Sequence, residues 1–317
     1  MVLPGVPAVG PVVAADVRHA LRSGRAVVAL ESSLITHGLP RPLNLEVALA
    51  CEARVRGEGA VPATVAVHDG RLLVGLRREA LEELSAAEDA SKASRHTLAA
   101  ALGRPGWAGT TVSATMIAAH AAGIAILATG GIGGVHHDAG RSFDVSADLE
   151  ELARTPVAVV CSGPKSIVDA RLTLEYLETR GVPVVGCGTD ELPGFWARET
   201  GLPVPAGVGT PEEAAALAIR HWGLGLGTGI VFAVPVPREA ELPREDAREA
   251  IAQALAEAGA AEITGAAATP WLLARIGELT GGRSVVANRA LIEHNAGIAA
   301  RIAVALLRYS GGDRARA

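Results

Sequence analysis

At 317 residues and 49% hydrophobic content, the chain has enough apolar material for one large α/β domain or two smaller ones. A formal charge of -5 excludes the broad basic face that duplex nucleic acid requires, so the expected partners are small molecules. Cys51, Cys161 and Cys187 lie far apart among apolar or small residues, which argues against a disulfide framework or zinc site and reads as reduced, buried thiols.

The start, Met1-Val2-Leu3-Pro4-Gly5-Val6-Pro7, lacks the charged opening and apolar core of a signal peptide. No later apolar run reads as membrane-spanning without a charge, proline or glycine cluster, so the expectation is a cytoplasmic protein with no membrane association. In chain order, residues 26–30 predict a buried strand and 45–56 a helix. Residues 64–67 and 71–74 flank His68-Asp69-Gly70, a tight-turn signal that predicts a protruding antiparallel hairpin. Helices are expected at 79–90 and 114–122, then strands at 124–128 and 157–161. A helix at 167–179, a strand at 182–187, a helix at 211–222, a strand at 230–234 and a helix at 244–258 follow. The last helix is expected from about 289 to 308, with a frayed tail at 311–317. No linker or repeat divides the chain, so the pattern predicts a single α/β/α layered domain over 1–317, core about 12–308, with a mostly parallel central sheet.

Several residues could carry chemistry. Glu31 directly follows the first buried strand, where open α/β sheets place ligands, and reads equally as a general acid or base and as a turn cap. Thr129-Gly130-Gly131-Ile132-Gly133-Gly134 also leaves a strand, and its glycines let backbone N–H groups approach a phosphate or sugar; it is neither a Walker loop nor a clean dinucleotide fingerprint. His136 and His137 could ligate a metal, yet adjacent side chains often point apart. Asp144 and Asp148 are hard oxygen donors suited to hydrated Mg²⁺ or Mn²⁺, although Asp148 also reads as a helix cap. Lys165 follows a strand and opens the expected helix, where the positive end of the macrodipole would depress an amine's pKa and favour a nucleophile. Lys92 reads as a phosphate ligand or as a solvated charge at a helix end.

In combination these segments resemble a known family. Leu30-Glu31-Ser32-Ser33-Leu34-Ile35-Thr36-His37-Gly38-Leu39-Pro40, the glycine loop through Val135-His136, Phe143-Asp144-Val145-Ser146-Ala147-Asp148-Leu149 and Lys165-Ser166-Ile167 are similar to the pseudouridine-5'-phosphate glycosidase family, also called indigoidine synthase A-like. The similarity continues through Thr189-Asp190-Glu191-Leu192-Pro193 and Asn288-Arg289-Ala290-Leu291, over residues 12–308. It implies reversible cleavage of the carbon–carbon glycosidic bond of pseudouridine 5'-phosphate to uracil and ribose 5-phosphate. It also implies one divalent cation per subunit, Mn²⁺ or else Mg²⁺ or another divalent ion, and a homotrimer. Under the resemblance Lys165 matches the covalent lysine, Glu31 the proton donor and Asp144 the metal-site aspartate. Lys92, Val112, Ser146, Ala147 and Asp148 match substrate contacts, Thr129 of the glycine loop is expected to bind substrate as well, and His136 and Asn288 fall in segments expected to face the base. Pro164 departs from the small residue that commonly precedes the lysine, which puts the loop's path in question. Two other functions compete: a biosynthetic enzyme that attaches ribose 5-phosphate to another acceptor, and a non-catalytic sugar-phosphate-binding protein. Retention of both Glu31 and Lys165 argues against the second.

Overall fold

The computed structural model describes residues 10–261, 263 and 268–314; the Met1–Pro7 segment and the last residues of the tail lie outside them. The strands are β1 Val12–Val13, β2 Val27–Leu30, β3 Val61–His68, β4 Arg71–Val74, β5 Ser91–Ala93 and β6 Trp107–Thr110. They continue with β7 Ile126–Ala128, β8 Ala158–Cys161, β9 Val184–Cys187, β10 Ala206–Val208 and β11 Ile230–Ala233. Eleven strands form one sheet in the order β1-β4-β3-β2-β7-β8-β11-β9-β10, with β6 attached to β3 and β5 to β6. From β2 to β10 every pairing is parallel.

The apolar runs explain this arrangement. Every residue of β2, β7, β8 and β11 is buried, as a parallel sheet covered on both faces demands. Alternate residues divide between two cores. Val28, Leu30, Ile126 and Val160 face the helices Leu43–Gly57, Pro211–Gly223 and Arg283–Arg314, while Val27, Ala29, Leu127 and Val159 face Val112–Ala122 and its neighbours. The expected α/β/α layering is therefore present. The cysteines are free, and burial pushes the Cys161 and Cys187 thiols up to about 12, which keeps them protonated and unreactive.

Three expectations change in detail. The hairpin forms on Asp69 and Gly70, both with positive φ as a tight turn of this hand requires, but its first strand is shared with the main sheet. Val27–Leu30 pairs with Val61–Thr64, after which Val65–His68 turns to β4 and β6, so the hairpin is the root of a covered flap. The helix expected over 79–90 is Arg78–Ala86, which ends early enough for Lys92 to sit on β5 instead of at a helix end. The last helix begins at Arg283, ahead of the expected 289, and reaches Arg314. Within it, residues 283–309 are long and apolar enough to cross a membrane by length and composition, where the sequence pattern predicts no such span. Its apolar face, with Ala287, Leu291, Ala296, Ala299 and Ala300 buried, is used inside this fold.

Candidate active site

The chain leaves β2 for β3 on one side, and β7 later enters on the other side of β2. The carboxyl ends of β2 and β7 therefore flank a topological switch point, the crevice where open α/β sheets bind ligands. Glu31 is the first residue beyond β2 and Thr129 the first beyond β7. The Thr129 hydroxyl donates to Glu31 Oε1 at 2.8 Å, and the Ser33 hydroxyl donates to Oε2. Glu31 is only 8% exposed, yet each carboxyl oxygen has a hydroxyl partner, so the group is held in one orientation at the crevice.

Lys165 reaches the same crevice from the next strand, β8. Its backbone N–H donates to the Ile132 carbonyl at 2.9 Å, and the Ile132 N–H donates to the Gly163 carbonyl at 3.2 Å. This parallel bridge ties the lysine segment to the glycine loop. Pro164 sits at its centre, where no N–H is used, so the departure that put the loop's path in question removes no hydrogen bond. Lys165 does not open a helix. Asp169 caps the helix Ala170–Thr179 by accepting from the Leu172 N–H at 2.9 Å, which leaves Lys165 on the turn before it and removes the expected macrodipole effect.

The flap delivers Lys92. β5 pairs with β6, placing Lys92 beside Gly109, and the Ser32 N–H donates to the Thr110 carbonyl at the end of β6. A side chain at 109 would stand 2.2 Å from Thr36 Oγ1, so glycine is required for the flap to lie this close to the segment after Glu31. Glu31, His37, Lys92, Lys165, Phe195 and Asn288 thus line one cleft. Burial and then the charge of Lys165 hold the Lys92 ammonium below its ordinary range, with Asp148 and Glu31 pulling the other way. Asn288 Oδ1 is buried without a hydrogen-bond partner among the described residues, an acceptor available to a ligand.

The remaining sequence candidates stand beside this cleft. Both Asp148 oxygens accept backbone N–H groups at 2.9 Å, from Ser113 and Gly133, so this carboxylate braces the glycine loop against the start of the helix Val112–Ala122. Val112 is buried at that helix start, and Ser146 caps the short helix Ala147–Leu152. None of Val112, Ser146, Ala147 and Asp148 lines the cleft itself. The two histidines do point apart: His136 Nε2 lies 3.9 Å from Asp144 Oδ2, and His137 Nδ1 lies 3.7 Å from Asp169 Oδ2. Among the described residues no three His, Cys, Asp or Glu side chains gather as a metal cage. Asp144, half exposed, fits instead a hard divalent ion that retains most of its waters.

Two residues here escaped the sequence reading. Asn295, wholly buried on the long helix, donates through Nδ2 to the Thr129 carbonyl at 2.9 Å and to the Ser162 hydroxyl at 3.1 Å, joining the loops after β7 and β8. Its only signal was a polar residue on the apolar face shared with Ile292, Ala296 and Ala299. The other is His37, a lone histidine in the segment after Glu31 that only its place in the cleft singles out.

Residues 16–305 match the family model described as indigoidine synthase A like protein. The chain belongs to the indigoidine synthase A-like family. Among its relatives in this family, the pseudouridine-5'-phosphate glycosidase of Methylobacterium nodulans is 54% identical over 92% of this chain and 87% of that protein. The protein of the same name from Paracoccus denitrificans is 55% identical over 92% of this chain and 96% of its own length. The crystal structure of the prealnumycin C-glycosynthase AlnA in complex with ribulose 5-phosphate is 37% identical and covers 96% of this chain and 100% of that one, with a TM-score of 0.89. The indigoidine synthase A-like fold is thus shared along nearly the whole chain.

Proposed function

We propose that this chain is a pseudouridine-5'-phosphate glycosidase, an enzyme that reversibly cleaves the substrate to uracil and ribose 5-phosphate through an imine on Lys165. The observation that carries the reading is the meeting of Glu31, Lys165 and Lys92 in one cleft at the switch point, in a chain more than half identical to glycosidases of that name.

The chemistry asks for these groups. In a C-glycoside the base leaves through carbon, so protonation of a heteroatom leaving group, the route of two-carboxylate glycosidases, is closed. Glu31, oriented by Ser33 and Thr129, protonates the ribose ring oxygen as the ring opens. The Lys165 amine adds at C1', and its nitrogen pair then expels uracil, leaving an iminium that water hydrolyses. Lys92 holds the phosphate, and Asn288 faces the base. On this reading Thr129 and Asp148 act by holding Glu31 and the glycine loop in place. A divalent cation held at Asp144, with His136 beside it, would supply charge neutralisation for the phosphate end. Homotrimeric assembly and a cytoplasmic setting belong to the same proposal.

Incubation with pseudouridine 5'-phosphate and Mn²⁺, with detection of free uracil, tests the reading; no uracil from the folded protein would refute it. For the metal, Asp144→Ala is expected to lower Mn²⁺ activation by about tenfold or more and to weaken Mn²⁺ binding, measured by electron paramagnetic resonance, without unfolding the chain. Unchanged activation and binding would remove Asp144 from the metal site. The likeness to the C-glycosynthase supports a second reading, in which this chain works in the bond-forming direction on another acceptor. The glycosidases are the more similar relatives, and uracil formation outpacing ribosylation of other acceptors distinguishes the two.

A further inference from the structure

The reaction needs a proton at two different atoms, the ribose ring oxygen and C5 of the base. Cleavage adds water across the C1'–C5 bond: C5 gains hydrogen and C1' gains oxygen. Glu31 gives its proton to the ring oxygen and can recover one when the added lysine nitrogen releases a proton to regain its electron pair. A further proton must reach C5. There it is taken up by the C5=C6 pair; the lysine nitrogen then forms C1'=N, the C1'–C5 bond breaks, and its electrons restore C5=C6 in uracil.

The titratable side chains lining the cleft are Glu31, His37, Lys92 and Lys165. Glu31 and Lys165 are engaged in ring opening and covalent capture, and Lys92 at the phosphate. His37 lies on a single π-helical turn, Leu34–Gly38, immediately beyond Glu31, and such turns recur at functional sites. Its Nδ1 is paired with the Thr36 hydroxyl at 2.6 Å, so Nε2 is the ring nitrogen left for the cleft. His37 also borders a second hollow, lined besides by Leu39, Pro40 and Trp196, which shares His37, Gly38, Leu273 and Asn288 with the cleft. The lysines line only the first cavity, whereas the second, mostly apolar with Asn288 and Glu278 on its wall, suits a planar base, so His37 stands at the boundary where sugar and base separate.

We propose that His37 is the second proton carrier of this reaction, delivering to C5 the proton that leaves as the C5–H of uracil and recovering one from the water that hydrolyses the iminium. The inference rests on the glycosidase reading. The charges that face His37 suit the task. Burial and the Lys92 ammonium hold its ring below the ordinary histidine range, and Glu31 opposes them. A substrate phosphate on Lys92 offsets that positive charge and raises the ring's proton affinity when a proton is needed.

His37→Ala and His37→Gln test this, with folding checked by circular dichroism. Both are expected to lower kcat for pseudouridine 5'-phosphate by about 100-fold or more with a much smaller change in KM. Both should still form the borohydride-trapped imine between Lys165 and ribose 5-phosphate, which needs no proton at C5. Added imidazole should restore part of the His37→Ala rate. Turnover within about threefold of the parent in a variant that traps the imine overturns the role. So does a loss in His37→Ala that imidazole leaves untouched and His37→Gln does not share, which would make the ring a packing element. Failure of the unsubstituted protein to release uracil or trap the imine would instead defeat the glycosidase reading.

Discussion

Borohydride added in the presence of ribose 5-phosphate will fix the sugar to Lys165, and Lys165→Arg will lose turnover by a factor on the order of 10⁴ or more, the scale expected when a covalent nucleophile is removed. Two amines, Lys92 and Lys165, line the cleft. Charge state alone would favour Lys92, whose ammonium is weakened by burial and by Lys165. Position and ligand reverse that preference. Lys165 follows β8, the neighbour of β7, and its backbone is bonded to the loop that carries Thr129, the partner of Glu31. Lys92 enters from the flap, and a phosphate dianion beside it keeps that ammonium charged, which leaves Lys165 to add at C1'. Peptide mapping of the reduced adduct decides the matter; an adduct confined to Lys92 would exchange the two roles. Arginine at 165 retains the positive charge but cannot form the imine, so the loss measures covalency rather than charge.

How much of this was legible before the structure differs from residue to residue. Buried parallel strands announce themselves as unbroken apolar runs, so β2, β7, β8 and β11 were placed to within a residue or two, and with them Glu31, Thr129 and the stretch leading to Lys165. The local setting of Lys165 was not legible. The helix expected from 167 starts at Ala170, because Asp169 is the cap and the segment that carries Lys165 bonds to Ile132, a residue distant in sequence. Lys92 shows the same limit, since β5 is a strand only by its pairing with β6. The strand order that creates the switch point, and Asn295 joining two loops from a remote helix, are likewise long-range facts. Chemistry-bearing residue types were readable where they follow strands; the scaffold that orients them was readable only where it is local.

Glu31→Gln separates acid–base chemistry from covalent capture. The amide is close to isosteric, and the Ser33 and Thr129 hydroxyls can rotate to meet it as donors or acceptors, so fold and substrate binding are expected to persist. Turnover of pseudouridine 5'-phosphate should nevertheless fall by about 10²–10⁴-fold, because an amide has no transferable carboxyl proton for the ribose ring oxygen. Ribose 5-phosphate presents a free aldehyde in its open form and does not need that proton, so the variant should still yield the trapped imine at Lys165. Loss of both readouts would mean that Glu31 shapes the cleft rather than supplying a proton. Near-parent turnover in the folded variant would move the donor's role to a histidine, His136 beside Asp144 or His37 at the boundary of the cleft. The loss of cleavage with retention of capture is the outcome that fixes Glu31 as the acid acting before carbon–carbon cleavage.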